Sequence, residues 1–255
     1  MPVKIATWNV NSLRVRLPHV LEWLASNKPD ILALQETKMI DEDFPAAEIK
    51  QAGYEVIFSG QKTYNGMAIL SRVAAQNVIT SLPGLDDPQK RVIAATIDDI
   101  RVLNLYVPNG ESVTSDKYQY KLNWLNKLIA FLQAEMREHK KLVILGDFNI
   151  APEDRDVYDP AAWEGKVLFS EPERNAFQQL LALGFKDSFR LSDQPEKSYT
   201  WWDYRMNAFK RNLGLRIDHI LVSDALVTSN LRCEIDKFPR AMERPSDHTP
   251  VIAYL

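Results

Sequence analysis

Five short polar clusters, each at the end of an apolar run, carry residue types suited to metal-assisted attack on a phosphate. The most informative is Ser246-Asp247-His248, which follows Arg244-Pro245 and precedes the apolar run from Val251 to Leu255. It delivers a carboxylate and an imidazole to one strand mouth. The others centre on Asn9, on Glu36, on Asp147 with Asn149, and on Asp218. Magnesium takes hard oxygen ligands, usually one or two carboxylates with water and substrate phosphate. Glu36 is the leading ligand candidate. It follows Ile31-Leu32-Ala33-Leu34, where a carboxylate must either emerge at the strand end or bear a large burial cost. An ordinary exposed glutamate is the alternative. For Asn9, the choice lies between a ligand and an Asx turn into the next helix.

In Gly146-Asp147-Phe148-Asn149 the two-residue spacing sends Asp147 and Asn149 to the same side. An acid plus an amide suits a base that activates water beside a donor to a developing oxyanion. A helix cap at Asn149 is the structural alternative. Asp218 sits in the apolar run from Leu215 to Ile220 and needs a partner, for which His248 is a candidate. A buried Asp–His pair orients and charges the imidazole, which can then hold a phosphate oxygen, although a purely structural ion pair has the same signature. Tyr106-Val107-Pro108-Asn109-Gly110 closes a further strand and would hold the Tyr106 hydroxyl and the Asn109 amide at the same rim. Trp201-Trp202-Asp203-Tyr204-Arg205, with Lys210, Arg211 and Arg216, interleaves rings and cations as a nucleic-acid surface would. Adjacent tryptophans on a strand face opposite sides, so at least one belongs to the core. Lys38, Lys62, Lys90 and Arg91 extend the positive rim, unless each is simply a solvated face.

The elements that must position these groups follow from hydrophobic periodicity. Strands are predicted over 4–10, 30–34, 54–59, 67–71, 92–97, 101–107, 142–145, 199–204, 217–222 and 251–254. Helices are predicted over 17–27, 115–139 and 170–183, the last opened by a Ser170/Glu173 capping box and stopped at Gly184. Strands outnumber helices, and helices fall between groups of strands, which favours a layered sandwich over a doubly wound sheet. A strand–helix–strand unit ending at Glu36 loosely echoes a helix–strand unit ending at Asp147. No low-complexity linker divides the 255 residues, so one domain is expected. A hydrophobic fraction of 45% is ordinary for a globular chain with a sizeable core. No apolar stretch approaches the ~20 residues a bilayer span needs. The first residues enter strand-like sequence at once, leaving no room for a signal peptide, and the single cysteine, Cys233, fits a reducing compartment as a small buried hydrophobe. A soluble cytoplasmic protein is expected. The net charge of −3 neither supports nor excludes a nucleic-acid partner, because clustered carboxylates can coexist with a basic groove.

Taken together, Trp8-Asn9-Val10-Asn11, Leu34-Gln35-Glu36-Thr37-Lys38, Tyr106-Val107-Pro108-Asn109-Gly110, Leu145-Gly146-Asp147-Phe148-Asn149, Leu215-Arg216-Ile217-Asp218 and Pro245-Ser246-Asp247-His248 stand in a family's order. The chain resembles, end to end, the exonuclease III / apurinic-apyrimidinic endonuclease family of the endonuclease–exonuclease–phosphatase superfamily. The resemblance implies a four-layered α/β-sandwich of two mostly antiparallel sheets flanked by helices. It also implies a monomer that uses magnesium, with manganese as a substitute, to hydrolyse double-stranded DNA at 3′ ends, at nicks or 5′ to abasic sites. By position, Glu36 would be the metal carboxylate with Asn9 and Asp247 beside it. Asp147, Asn149 and His248 would offer a second metal position. Asp147 would activate water, Asn149 and Tyr106 would support the transition state, and Asp218 would hold His248 on the scissile phosphate. Trp202 and Ile217 would wall the pocket, and Lys38, Asn109 and Arg216 would contact DNA. Asn11 stands where some relatives carry an aspartate. Leu168 falls where relatives often have a smaller residue, which would hinder a flipped-out abasic site while leaving a 3′ terminus accessible. Two rivals remain: a superfamily enzyme acting on phosphoinositides, sphingomyelin or poly(A), and a catalytically silent nucleic-acid-binding protein.

Overall fold

The computed structural model describes residues 2–255, whose strands form two six-stranded sheets. The first sheet runs β11 (Arg232–Ile235), β12 (Val251–Tyr254), β1 (Lys4–Asn9), β2 (Ile31–Gln35), β4 (Met67–Ser71) and β3 (Glu55–Ser59). The second runs β5 (Gln76–Ile79), β6 (Val92–Ile97), β7 (Ile100–Tyr106), β8 (Leu142–Asp147), β10 (Asp218–Ser223) and β9 (Phe185–Asp187). Neighbours are antiparallel except at one place in each sheet, where β1 lies parallel to β2 and β7 to β8. A parallel neighbour cannot be reached by a hairpin and needs a crossover, here a helix. The helices are α1 (Leu13–Asn27), α2 (Ala46–Gln51), α3 (Asp116–Glu138), α4 (Pro160–Trp163), α5 (Glu171–Ala182) and α6 (Ala208–Arg211). Of these, α1 and α3 make the two crossovers.

Side chains alternate along each strand, so every central strand feeds two cores. Ile5, Ile31, Ala33, Ile69, Val102, Val143 and Ile220 fill the space between the sheets. Ala6, Trp8, Leu32, Leu34 and Leu70 point the other way and pack on Val20, Trp23, Leu24 and Ile49 of α1 and α2. Leu103, Leu105, Leu142, Ile144 and Leu221 meet Trp124, Leu125, Leu128, Phe177 and Leu180 of α3 and α5. Three cores make four layers, helix on sheet on sheet on helix. A polar bridge crosses the middle core: Gln35 Nε2 donates to Asn104 Oδ1 at 2.7 Å, and Asn104 Nδ2 donates to Leu34 O and Ala68 O, both at 2.9 Å. An unmet amide there would cost ~1–3 kcal/mol, so the two sheets are pinned in one mutual register next to the site.

Several sequence expectations shift. α1 starts at Leu13, a turn before the predicted start, because Asn11 and Ser12 adopt φ of 43° and 91° and turn the chain directly into the helix. Pro18 therefore lies inside α1 rather than in its first turn. The predicted strand over 199–204 is absent; Trp201 makes only isolated bridges, to Leu215 and His248. β5, β9 and β11 were not predicted, being short and bordering the sheets. Gly146 lies within β8 with φ of 141°. A Cβ there would stand 1.9 Å from Leu105 O on the parallel neighbour, so only glycine lets β8 reach β7 immediately before Asp147.

Candidate active site

The two parallel pairs end on the same rim, which is why residues far apart in sequence converge there. Asn9 closes β1, Glu36 follows β2, and Tyr106 and Asp147 end β7 and β8 opposite one another. Asp218 opens antiparallel β10 directly across from Asp147. His248 arrives just before β12, which pairs antiparallel with β1. Its turn is fastened by Ser246, whose Oγ donates to Asn9 O at 2.7 Å and accepts from His248 N at 3.2 Å. Glu36 has φ of 53°, a left-handed conformation costly for a non-glycine residue. Ser12 N, donating to Glu36 O at 2.8 Å, and Thr37 N, donating to Gly66 O at 3.1 Å, hold it there.

Ligand atoms of Glu36, Asp147 and His248 lie within 4.8 Å of one another. Asn9 Nδ2 bridges the two carboxylates, donating to Glu36 Oε1 at 2.8 Å and to Asp147 Oδ2 at 2.9 Å. His248 Nδ1 stands 2.8 Å from Asp218 Oδ2, and its Nε2 stands 3.6 Å from Asp147 Oδ2. The other Asp147 oxygen accepts from Asn149 N at 2.9 Å. Asn149 Nδ2 donates to Val107 O at 3.0 Å, and Asn109 Nδ2 donates to Asn149 Oδ1 at 3.1 Å. Asn149 is thus no helix cap. Lys38 Nζ pairs with Glu36 Oε2 at 2.9 Å and donates to Asn11 Oδ1 at 2.5 Å.

This crowding of acids reshapes their proton affinities. Burial, reinforced by the Asp218 and Glu36 charges, pushes Asp147 up to about 7 despite the opposing pull of His248. Burial works against a charged His248, but Asp218 first and Asp147 second override it and raise the imidazole to about 10. Burial, then the Glu36 and Asp147 charges, hold the Tyr106 phenol well above its ordinary value. At neutral pH the rim therefore presents a cationic imidazole and a protonated phenol beside a carboxylate poised to take a proton. Among the described residues, Asp218 Oδ1 is buried without a hydrogen-bond partner, and the only side chain bonded to the other oxygen is His248.

Residues 6–248 match the sequence model of the Endonuclease/Exonuclease/phosphatase family. The chain belongs to this family. It is similar to exodeoxyribonuclease III of Haemophilus influenzae, with 37% identity over 98% of this chain and 99% of the relative. Its fold is similar to that of the 3′ phosphatase NExo from Neisseria, solved with a product DNA hairpin, at 53% identity, 99% coverage of both chains and a TM-score of 0.96. An AP endonuclease from Archaeoglobus fulgidus is similar at 43% identity, 99% of both chains and a TM-score of 0.94. Within the family the chain is a nuclease of the exonuclease III / AP endonuclease type.

Against this exonuclease III-type architecture, several assignments made from sequence are corrected. Trp202 does not wall a pocket: it is 0% exposed, its Nε1 donates to Asn212 Oδ1 at 3.1 Å, and Phe209 packs edge-on against it. Its neighbour Trp201 takes the outward position, with Nε1 donating to Asp247 Oδ2 at 3.0 Å. Arg216 cannot reach DNA, being 1% exposed and paired with Asp156 at 2.6 Å and Asp187 at 2.8 Å. Asp247 stands outside the Glu36–Asp147–His248 group, its oxygens taken by Asn11 Nδ2 at 2.9 Å and by Trp201. Asn9 Oδ1 accepts from Asn11 N at 2.9 Å, the Asx turn that was the structural alternative, so its amide rather than its oxygen faces the carboxylates. Leu168 and Ile217 share a small apolar cluster with Leu215, Val157, Phe169 and the half-buried Trp201, which bridges to His248. The sequence pattern names both tryptophans, and the pocket role goes to Trp202 there; the Trp201–Leu215 bridge fixes Trp201 as the one that turns outward. On the other side of the rim, Gln61, Tyr64, Arg91, Tyr106 and Asn109 line a cleft of about 600 Å³ that reaches Glu36. A larger one, about 810 Å³ between Arg155 and Tyr199, contains none of the acidic rim residues. Among the described residues, no helix is long and apolar enough to cross a membrane.

Proposed function

We propose that this chain is a magnesium-dependent DNA repair phosphodiesterase that works chiefly at 3′ termini, as a 3′-phosphatase and 3′–5′ exonuclease, and only weakly at internal abasic sites. The observation that carries the reading is the Asp147 carboxylate, set between Asn9, Asn149 and a His248 charged by Asp218. The donor set suits a hard cation: the Glu36 and Asp147 oxygens converge within 4.8 Å and leave room for water and phosphate ligands. A bound magnesium would be held by Glu36, with Asp147 close by, and would neutralise charge building on the phosphate oxygens. Asp147 takes the proton of the attacking water as the new P–O bond forms and the ester P–O bond breaks. His248 Nε2 donates to a non-bridging oxygen, while Asn149 and the Tyr106 hydroxyl face the same developing charge. Lys38 and Asn109 would contact a DNA phosphate, and Lys62, Lys210 and Arg211 are exposed and free to add to that surface.

The preference for ends rests on Leu168. Its φ of 76° is strained for leucine, and its side chain is 5% exposed within an apolar cluster that holds Ile217, the residue before Asp218, and Trp201, which bridges to His248. A flipped-out internal abasic sugar would have to displace that side chain, whereas a terminal phosphate would not. Glycine adopts positive φ freely, so Leu168→Gly opens the cluster without backbone cost. Internal abasic cleavage should then rise by about tenfold or more. The test compares initial rates on a 3′-recessed duplex, a 3′-phosphate at a nick and an internal abasic site, for the parent and Leu168→Gly. No gain at the abasic site would remove Leu168 from the account, and a parent already fastest there would overturn the preference for ends.

A further inference from the structure

We propose that the buried Lys121–Glu173 ion pair is a positioning element that ties the Asn109 and Asn149 loops to the Leu168 wall, so that the two sides of the reaction centre move as one. Neither residue is exposed to solvent, and the hydrogen bonds of both go to groups other than Glu36, Asp147 and His248. An ammonium has three N–H donors, and all three of Lys121's are used. They reach Asn149 O at 2.7 Å, Asn109 O at 3.1 Å and Glu173 Oε1. Glu173 in turn accepts from Leu168 N and Ser170 N, both at 3.0 Å, and from the Ser170 hydroxyl. The capping box of α5 needs only the Ser170 bonds. The bonds to Leu168 and Lys121 go beyond it, and they join the loops that follow β7 and β8 to the segment before α5.

Stability alone does not account for the pair. Removing two charges from water is costly, and well-packed apolar side chains of similar volume usually stabilise a core as well or better. Apolar groups, however, have no direction, whereas this pair fixes where three backbone segments lie. Asn149 shows why direction matters. Its φ of 49° persists only where the surroundings over-determine it, and the Lys121 bond to its carbonyl is one of those constraints. Through Asn149 N the same backbone orients Asp147 Oδ1, and through Asn149 Oδ1 it orients the Asn109 amide.

The test uses the full chain carrying Lys121→Met with Glu173→Gln, which removes both charges together and leaves neither stranded. On a duplex with a 3′-phosphate at a nick, the proposed substrate, kcat should fall on the order of 10- to 100-fold with KM little changed, as expected when catalytic groups are displaced by a fraction of an ångström. Amide hydrogen exchange should quicken at Asn149 and Leu168 together while the remaining amides of α3 keep their parent rates. A folded double variant with parent kcat and parent exchange at Asn149 overturns the proposal. Should the double variant not fold, Ser170→Ala decides. It loosens Glu173 without touching the rim and should still lower kcat by a few-fold; an unchanged kcat overturns the proposal. An inactive parent would instead count against the proposed substrate, and exchange at Asn149 and Leu168 would then decide the positioning role without any activity.

Discussion

Asp147→Asn is expected to lower kcat for release of a 3′-phosphate by about 10²- to 10⁴-fold, the range associated with losing a positioned general base. The substitution keeps the shape but only one of the two acceptor contacts, since the single amide oxygen can accept from Asn149 N or from Asn9 Nδ2 and not from both. It removes proton affinity and the charge that faces His248 at 3.6 Å. Burial is the main reason the parent carboxylate holds its proton up to about 7, so the loss is chemical rather than structural. Relieved of one of three neighbouring carboxylates, the variant should melt no lower than the parent and bind duplex DNA at least as tightly. Single-turnover rates beside a binding isotherm separate the two effects. A variant within tenfold of the parent rate would take proton transfer away from Asp147.

His248→Gln carries the second large effect, on both rate and stability. In the proposed reaction the imidazole donates to the phosphate oxygen where charge builds, and removing one such donor typically costs about 10²- to 10³-fold in kcat. Stability suffers for a separate reason. Asp218 is 1% exposed, with one oxygen already unpartnered and the other served by His248 Nδ1 at 2.8 Å. Leaving a buried charge uncompensated costs about 3–5 kcal/mol. Adding Asp218→Asn to His248→Gln should therefore restore much of the thermal stability while leaving kcat as low as in the single variant. Differential scanning calorimetry and initial rates on the pair of variants read this directly. Recovery of rate along with stability would show that His248 acts only as a structural partner.

The rim residues were legible because each is a lone polar group at the end of an apolar run. Glu36 after Ile31-Leu32-Ala33-Leu34, Asp147 after Leu142-Val143-Ile144-Leu145 and Asp218 within its strand all conflict with burial unless something answers them. The layered architecture followed from strands outnumbering helices and helices falling between groups of strands; the parallel neighbours joined across α1 and α3 were not legible from that pattern. What stayed hidden depended on partners distant in sequence. Period-two alternation separates Trp201 from Trp202 but cannot say which faces outward; the bridge to Leu215 decides it. Arg216 reads as a surface cation until Asp156, 60 positions away, is seen to meet it in the interior. Asp247 was grouped with Glu36 because it adjoins His248, yet adjacent residues in a turn point apart, and its carboxylate goes to Asn11 and Trp201. Lys121 gave a faint signal, as a cation on the apolar stripe of α3 four residues before Leu125.

The central claim is metal-assisted hydrolysis of a DNA 3′-phosphoester at the Glu36–Asp147–His248 rim. Its most direct measurement is phosphate release from a nicked duplex bearing a 3′-phosphate, run with magnesium, with excess chelator, and with magnesium restored. The account predicts release with magnesium, loss with chelator and recovery on restoration, with DNA bound throughout. Duplex DNA bound but left intact in magnesium, or release that chelator does not change, would contradict it.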